Sequence, residues 1–505
     1  MNLIKSLKLN SRRFPRKDAI VFEGNAISYK ELYDRTVAFS EQLVEKGVRA
    51  NDKVAIVSEN HPNYFVAIYA ITALGAIPAL INYRLKPEDL KQVIINAECK
   101  AAVVGLDWEY LANDTPAGVD CFFSIEDESS ISNESLLAMD GELTQTVADE
   151  IYKQAHSTIM FHTSGTTGLP KGVLRSKMGF EHRSVQYGVS AEDSFLAVMP
   201  CCLSAGGTYA LWALYIGSTL HLHRNVDYSA ILETIEKYRV SVMALLPPML
   251  DQIFDLNLEA KRNIKSLKYV ISGGGYIDES LRLRSKEILG DVLTVYYGSS
   301  ELGPSAFLSA KELNTIYRDN CIGRPFFGAD VILLDEKGNE VEVGETGRIC
   351  VRSDMQLDSY YKNEELIKDI SVGEYLCVGD LGRFDEDGLL YFVGRERDFI
   401  RTGGINVPSG DVESTLLNHP LISEVYCVGV PDKKWGEAIC AVIIVKPNET
   451  LTNEDVVAFS AENLPGYKKP QHILFVDEVP KNLSGRVVKP ELLKIVEEKL
   501  GGEEK

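Results

Sequence analysis

A run of glycines and hydroxyl residues that ends in a lysine is the strongest chemical signal in the sequence. It reads TSGTTGLPKG over residues 163–172 and follows the strand-like residues 157–161. Glycines leave backbone N–H groups unhindered, and hydroxyls and a lysine add donors and positive charge for phosphate oxygens. The segment therefore predicts a phosphate-binding loop rather than a surface turn. It does not fit the Walker pattern, because Pro170 precedes the lysine and Gly172 follows it.

Further motifs accompany this loop in order along nearly the whole chain. They read ISYKEL at 27–32, YGSSE at 297–301, GDL at 379–381, GRERD at 394–398, GGIN at 403–406 and SGR at 484–486. With them the sequence resembles the adenylate-forming family of acyl-CoA synthetases, aryl-CoA ligases, luciferases and peptide-synthetase adenylation domains. The resemblance implies ATP-dependent activation of a carboxylic acid to acyl-AMP with Mg²⁺, release of pyrophosphate, and thioester formation with coenzyme A.

The resemblance also assigns the nucleotide site. Tyr297 would stack on adenine, the carboxylate of Glu301 would hold Mg²⁺, Asp380 would accept the ribose hydroxyls, and Arg395 would donate to ribose or α-phosphate. Each has a plain alternative, such as a turn aspartate or a surface salt bridge. The ATP- and AMP-binding residues expected are Thr163, Ser164, Gly165, Thr166, Thr167, Gly168, Lys171, Gly273, Gly274, Tyr296, Tyr297, Gly298, Ser300, Asp380 and Arg395.

Lys171, Glu301 and Arg486 are the expected catalytic residues. Arg486 stands where the family has a lysine that bridges carboxylate and phosphate, so a planar fork replaces a compact ammonium. Arg397 occupies the family's hinge position. The loop for the thiol step would contain Arg401, Gly403, Gly404 and Asn406.

The acid would bind among apolar and aromatic residues. The expected pocket comprises Leu203, Ala205, Gly206, Tyr209, Met249, Gly275 and Pro304. It has no acidic residue where amino-acid activators hold the α-amine, which favours a fatty or aryl acid. Two other functions stay open: transfer to a separate acyl carrier protein, and nucleotide or acyl binding without catalysis after loss of the lysine. A P-loop kinase is less favoured, because no Walker lysine is in register.

Composition narrows the class of protein and its partners. The 505 residues carry 53 basic against 73 acidic side chains, a net charge of −20, and no basic run with interleaved aromatics, which disfavours nucleic acid. Nine scattered cysteines without CxxC spacing predict reduced thiols in a cytoplasmic protein. The uncharged residues 63–83 and 194–223 are interrupted by Gly and Pro, so they predict buried helices leading into strands rather than membrane spans. The family further implies a homodimer.

Helix-like and strand-like segments alternate along most of the chain, for example a helix at residues 28–46 and a strand at 53–57. This alternation predicts an α/β fold with parallel sheets. From about residue 320, short strands and DxxG turns predict a β-rich subdomain. A charged, glycine-rich segment places a boundary near 396. We therefore expect an ATP- and acid-binding adenylation domain of mixed and parallel sheets over residues 1–396. A small α+β domain over 397–505 would follow, and the family implies that it is mobile.

Overall fold

A computed structural model describes residues 2–126, 155–163, 169–275, 277–316, 320–481 and 487–503. Two compact units make up the chain. The first contains residues 1–331 and 351–376, and the second contains residues 332–350 and 377–505. This division confirms an α/β protein with a larger and a smaller part. The predicted boundary between residues 396 and 397 lies inside the second unit and stays a prediction about mobility.

A seven-stranded sheet in the first unit supports the phosphate-loop segment. Its strands lie in the order Ser359–Tyr360, Lys171–Arg175, Ile159–Thr163, Ile77–Leu80, Lys53–Val57, Cys99–Val104 and Cys121–Ser124. The last five are parallel, as predicted, whereas the first two are antiparallel additions at one edge. Between the parallel strands run the helices Pro62–Ala73 and Pro87–Asn96.

The second sheet of this unit has a parallel centre and antiparallel ends. Its strands follow the order Cys321–Pro325, Gly303–Leu308, Leu293–Ser299, Tyr269–Gly273, Val242–Leu245, Ser194–Ala197, Thr219–Leu222, Asp18–Phe22 and Asn25–Ser28. The helices of the unit that complete its layers are Leu3–Arg13, Tyr29–Glu45, Phe180–Tyr187, Ser204–Ile216, Tyr228–Tyr238, Pro247–Ala260, Glu279–Leu289 and Ala310–Thr315. Short helical segments lie at Leu106–Trp108, Tyr110–Asn113 and Glu365–Asp369, and Ser371–Val372 is a short strand.

Both uncharged stretches are buried within this unit. Every residue of the helix Pro62–Ala73 is buried, and so is nearly all of Ser204–Ile216, each of which leads into a strand. The prediction of buried helix and strand is therefore confirmed. No helix in the described part of the chain is long and apolar enough to cross a membrane.

The second unit begins with four strands that lie side by side: Ala329–Leu334, Thr346–Ser353, Tyr375–Phe384 and Leu390–Arg395, the first three of which extend into the first unit. The predicted DxxG turns connect them. Asp335 and Asp385 each accept backbone N–H groups from their own turns, and the glycines that follow have positive φ.

A five-stranded sheet follows in this unit, with strands in the order Ile405–Pro408, Phe399–Thr402, Gly436–Val445 and Ile422–Asp432, and with His472–Phe475 paired in parallel to Gly436–Val445. Helices Ser409–Leu417, Asn453–Asn463 and Lys489–Glu503 accompany it, and short helical turns occupy Glu396–Asp398 and Gly466–Lys468. The described structure thus agrees with the predicted α+β character of this part.

The prediction that every cysteine is a reduced thiol is wrong for two of them. Cys350 and Cys377 form a disulfide in the second unit. They sit on neighbouring strands with Cα atoms 4.4 Å apart, although 27 residues separate them in sequence. Sequence spacing could not reveal this pair, because strand pairing rather than a CxxC motif brings the two thiols together.

Candidate active site

A β-hairpin carries the phosphate-loop segment. Strands Ile159–Thr163 and Lys171–Arg175 are antiparallel, and Thr163 lies directly opposite Lys171. Gly172 packs closely between two neighbours, since a Cβ placed on it would lie 3.0 Å from the sulfur of Met160. The hairpin therefore fixes both ends of the loop, with Thr163 before it and Lys171 after it. Ser164, Gly165, Thr166, Thr167 and Gly168 lie outside the described residues, so their predicted role stays a prediction.

His162, beside the loop, is neutral at neutral pH. Its Nδ1 donates to the carbonyl oxygen of Leu80 at 3.0 Å. Burial lowers the pKa of His162 to about 4, because the charged imidazolium would lose its hydration. The ring is therefore neutral and serves to connect the hairpin to the neighbouring strand.

A short third strand brings Glu301 to this hairpin. Ser359–Tyr360 pairs with Lys171–Arg175, and Tyr360 lies opposite Val173. The Tyr360 hydroxyl donates to Glu301 Oε1 at 3.3 Å, and Ser299 Oγ accepts the backbone N–H of Glu301 at 3.2 Å. Burial raises the pKa of Tyr360, and the neighbouring Glu301 carboxylate raises it further. Lys171 and Glu301 are thus tied to one structural element.

Ser299 and Tyr360 were missed by sequence reasoning. Ser299 lies within the YGSSE motif, so its position held a signal, and its hydroxyl also accepts the N–H of Leu302 at 3.0 Å. Tyr360 offered no signal, because it reaches Glu301 only through the pairing of a two-residue strand.

The glycines of the predicted nucleotide site are required by close strand packing. A Cβ on Gly273 would lie 2.2 Å from the carbonyl oxygen of Tyr296, and one on Gly298 would lie 2.3 Å from that of Gly303. Gly274 adopts a φ of +75°, which favours glycine. Tyr297 pairs with Ala306 on the next strand. The small residues and the two tyrosines therefore meet where two neighbouring interior strands end, and Ser300 lies in the turn that follows.

The predicted acid pocket gathers around two helix starts. Leu203 is the N-cap of Ser204–Ile216, which contains Ala205, and Gly206 lets the helix begin tightly, since its Cβ would lie 2.3 Å from the carbonyl oxygen of Pro200. Tyr209 is buried, and its hydroxyl donates to the carbonyl oxygen of Val242 at 2.8 Å.

The second helix start carries two more pocket residues. Gly275 faces Pro247, with a 3.3 Å approach for a Cβ, and Met249 follows in the same first turn of Pro247–Ala260. Pro304 is buried in the strand that follows Glu301. These residues belong to the first unit, and their role in binding an acid stays a prediction.

Sequence reasoning also missed Arg175, at the end of the phosphate hairpin. Its side chain is among the largest that are fully buried, with 1% exposure. Its Nη2 donates to the carbonyl oxygen of Met355 at 2.8 Å and its Nη1 to Ser204 Oγ at 3.3 Å. Burial lowers the pKa of Arg175 to about 10, so the guanidinium is still charged at neutral pH. No motif marked it, because its burial depends on distant elements.

In the second unit, Asp380 and Arg395 form an ion pair. They lie opposite each other on paired strands, and Arg395 Nε donates to Asp380 Oδ1 at 2.8 Å. The Asp380 side chain is 4% exposed and the Arg395 side chain 30% exposed. The structure therefore brings together two residues that the sequence placed 15 positions apart.

The two glycines of the predicted thiol-step loop form a hairpin turn. Gly403 and Gly404 connect Phe399–Thr402 to Ile405–Pro408, and their φ values are +58° and +79°. Two positive φ values in a two-residue loop are typical of a type I′ turn, which explains the glycines. Arg401 is exposed beside this turn, and its backbone N–H donates to Glu437 Oε2 at 2.7 Å.

The remaining site predictions lie where the side chains are not described. Arg397 is in the turn Glu396–Asp398, and Asn406 is in Ile405–Pro408, but only their backbone is described. Arg486 lies outside the described residues. Lys489, the next lysine, donates to Ser409 Oγ at 3.0 Å and pairs with Asp398 at 3.3 Å, which anchors it within its own unit.

Comparisons with known proteins cover nearly the whole chain. A family model described as AMP-binding enzyme matches residues 7–361, and one described as AMP-binding enzyme C-terminal domain matches residues 411–486. A 2-succinylbenzoate–CoA ligase of Bacillus cereus (strain Q1) is 28% identical over 96% of this chain and 97% of its own. An indoleacetate–CoA ligase of Aromatoleum aromaticum is also 28% identical, over 96% of each chain.

Solved structures show the same fold. An amide bond synthetase from Marinactinospora thermotolerans superposes with a TM-score of 0.86 at 25% identity and covers 97% of this chain and 99% of its own. An o-succinylbenzoate coenzyme A synthetase of Bacillus subtilis, in complex with ATP and magnesium ion, gives a TM-score of 0.84 at 23% identity over 96% and 98%. The predicted α/β architecture of a larger and a smaller part is thereby confirmed.

Proposed function

The chain belongs to the family of AMP-binding enzymes, and from this premise we propose that it joins a carboxylic acid to coenzyme A at the expense of ATP. In the first step a carboxylate oxygen attacks the α-phosphorus and the bond to pyrophosphate breaks. In the second step the coenzyme A sulfur attacks the acyl carbon, AMP leaves, and the thiol proton passes to solvent. The observation that carries this proposal is the joint anchoring of Lys171 and Glu301 on one hairpin edge.

The hairpin supports a role for Lys171 in charge stabilisation. The strand register holds the backbone of Lys171 opposite Thr163, so its side chain starts where the glycine-rich loop ends. Fixed positive charge and backbone donors stabilise the charge that develops on transferring phosphate groups. We assign Arg486 the same task on the acid side, in place of the family's lysine.

Glu301 fits a magnesium ion shared with substrate phosphates. Magnesium is commonly bound through one or two carboxylates together with phosphate oxygens and water. The described residues contain no group of three or more metal-ligating side chains, which suits a metal that arrives with ATP. Tyr360 and Ser299 hold the Glu301 carboxylate and backbone in place. When bound, the ion would neutralise phosphate charge.

In the second unit, Asp380 and Arg395 are assigned to the ribose and the α-phosphate. Their ion pair pre-orients both side chains before a nucleotide binds. The turn that contains Arg397 is assigned as the hinge between residues 1–396 and 397–505, and the hairpin turn at Gly403 and Gly404 is assigned to the thiol step, together with Arg401 and Asn406.

An aryl acid is the favoured substrate class. The two CoA ligases at 28% identity are named for 2-succinylbenzoate and indoleacetate, both aryl acids. Aromatic and aliphatic side chains surround the assigned pocket, with Tyr209 buried at its side. A fatty acid, a separate carrier protein as acceptor, and binding without catalysis are the outcomes that the test must distinguish. A cytoplasmic location and a homodimer stay predictions.

The test is product analysis by mass spectrometry. The full chain is incubated with ATP, Mg²⁺ and a panel of aryl and fatty acids, with coenzyme A or a pantetheinylated carrier protein as the thiol. We expect acyl-CoA and AMP in equal amounts with at least one aryl acid. Lys171→Ala should abolish both, whereas Lys177→Ala, a matched change at an exposed lysine six residues further along, should not. ATP binding without AMP formation from any acid would refute the proposal.

A further inference from the structure

A buried arginine lies where the phosphate hairpin meets the start of the helix Ser204–Ile216. The two terminal nitrogens of the Arg175 guanidinium donate to uncharged acceptors, the carbonyl oxygen of Met355 and the hydroxyl of Ser204. Its Nε is buried and has no hydrogen-bond partner among the described residues. No ion pair involving Arg175 exists in that part of the chain either. A buried cation without a carboxylate is unfavourable, so a partner is missing from its surroundings.

A second arginine lies near this one. Arg183 places its Cζ 5.5 Å from the ring centre of Tyr296, and its positive charge lowers the pKa of Arg175 further. Within the described structure, Arg183 has no ion-pair partner. Gly298 and Gly303 pack against each other, and the Tyr296 hydroxyl lies close to the first and the Arg175 guanidinium close to the second. The Tyr296 hydroxyl is 2.9 Å from a Cβ placed on Gly298, and Arg175 Nη2 is 3.2 Å from one placed on Gly303.

A further polar group without a partner among the described residues follows the residue that Arg175 contacts on the helix Ser204–Ile216. Thr208 lies one turn after Ser204 on the same helix face, and its buried hydroxyl has no partner in the described structure. Tyr187 is buried as well; burial raises the pKa of its hydroxyl, while the charge of Arg183 and a side-chain hydrogen bond with Thr294 lower it. Glu301 and Asp358 act on Arg175 only through space. Within the described structure, the two cations thus have no ion-pair partner, and Arg175 Nε and the Thr208 hydroxyl have no hydrogen-bond partner.

The cluster adjoins the assigned acid pocket. Ser204 immediately precedes Ala205 and Gly206, and Gly303 immediately precedes Pro304. We propose that Arg175 is a specificity-determining residue that binds a second carboxylate, carried by the acid substrate at the end remote from the reacting carboxylate. Ser204, Thr208 and Tyr296 complete this subsite, and Arg183 adds positive charge. The inference rests on the proposed function and narrows it to acids with two carboxylates.

The test compares acids that differ only in the second carboxylate. Benzoate is paired with the benzene dicarboxylates, phenylacetate with the carboxyphenylacetates, and hexanoate with adipate, and kcat and KM are measured for acid-dependent AMP formation. For at least one pair we expect the wild type to prefer the diacid by more than tenfold in kcat/KM. Arg175→Met should lower kcat/KM for that diacid by about 100-fold or more, because a desolvated charge pair is lost, and change it less than threefold for the matching monoacid.

Two further variants keep the inference falsifiable if Arg175→Met does not fold. Arg175→Lys retains the charge without the planar fork and should recover part of the diacid preference. Thr208→Val keeps the volume of the side chain and should weaken only the diacid, severalfold. An equal loss of kcat/KM for diacid and monoacid in each variant would mean that Arg175 only holds the backbone at Met355 in place, and would overturn the inference.

The wild type alone separates the two proposals. Turnover of monoacids with no diacid preferred in any pair would overturn the inference and leave the proposed function intact. Absence of turnover with every acid would overturn the proposed function, and the inference with it.

Discussion

Removing Arg395 should destabilise the protein more than the loss of one hydrogen bond. Asp380 is 4% exposed at its side chain and receives the Arg395 Nε at 2.8 Å, so Arg395→Met leaves a buried carboxylate without its cation. Breaking a buried ion pair from one side typically costs 3–5 kcal/mol. Because Arg395 is 30% exposed and water can enter after its removal, we expect the free energy of unfolding to fall by about 3 kcal/mol, the lower end of that range.

The free energy of unfolding in urea measures this effect, and a double variant isolates its cause. Arg395→Met combined with Asp380→Asn removes both charges and should recover stability to within about 1 kcal/mol of the wild type. Arg352→Met, in the exposed pairs with Asp330 and Glu374, is the control and should cause no measurable change. Equal stability of Arg395→Met and Arg352→Met would refute the reasoning.

Three further predictions concern pH, redox state and backbone conformation. Burial lowers the pKa of His221 to about 4, whereas the unfolded chain takes up the proton near pH 6.5. The stability that comes from keeping His221 neutral is therefore complete above about pH 6.5 and is lost as the pH falls towards 4. From His221 we expect a loss of about 1–2 kcal/mol in the free energy of unfolding between pH 7 and pH 5, and His221→Phe should remove this share while the share of buried His162 remains; an unchanged slope in urea unfolding would contradict it. The Cys350–Cys377 disulfide closes a loop of 27 residues, so its reduction should lower the free energy of unfolding by at most about 3.5 kcal/mol and lower Tm. The double variant Cys350→Ala, Cys377→Ala should show the same Tm with and without reductant. Gly404→Ala should lower the free energy of unfolding by about 1 kcal/mol, because φ is +79° there. Gly410→Ala, within the helix Ser409–Leu417, should raise it by about 0.5–1 kcal/mol, and a change of the same sign in both variants would refute the assignment of Gly404 to a turn that requires glycine.

Local patterns were sufficient to predict most of the elements. The predicted helix at 28–46 is Tyr29–Glu45 with Ser28 as its N-cap, and the predicted strand at 53–57 is Lys53–Val57. Both follow from periodicity and capping, which depend on neighbouring residues alone. The same holds for the glycine turn at 403–404, where positive φ requires the residue type.

Contacts between distant elements could not be predicted in this way. Tyr360 reaches Glu301 through the pairing of a two-residue strand, and Cys350 meets Cys377 across two strands. No sequence pattern marks Arg175, yet it is fully buried between elements up to 180 residues apart. In each case the partner is chosen by strand order and layer packing, which no local pattern contains.

ATP–pyrophosphate exchange without a thiol tests the central claim most directly, because it isolates the first step. We predict acid-dependent exchange by the wild type, its loss in Lys171→Ala, and exchange of similar extent in Arg486→Lys. Such a result would establish acyl-AMP formation with arginine in the lysine's position. No exchange by the wild type with any acid, together with exchange restored by Arg486→Lys, would contradict the account and indicate a binding protein whose site is silenced at one position.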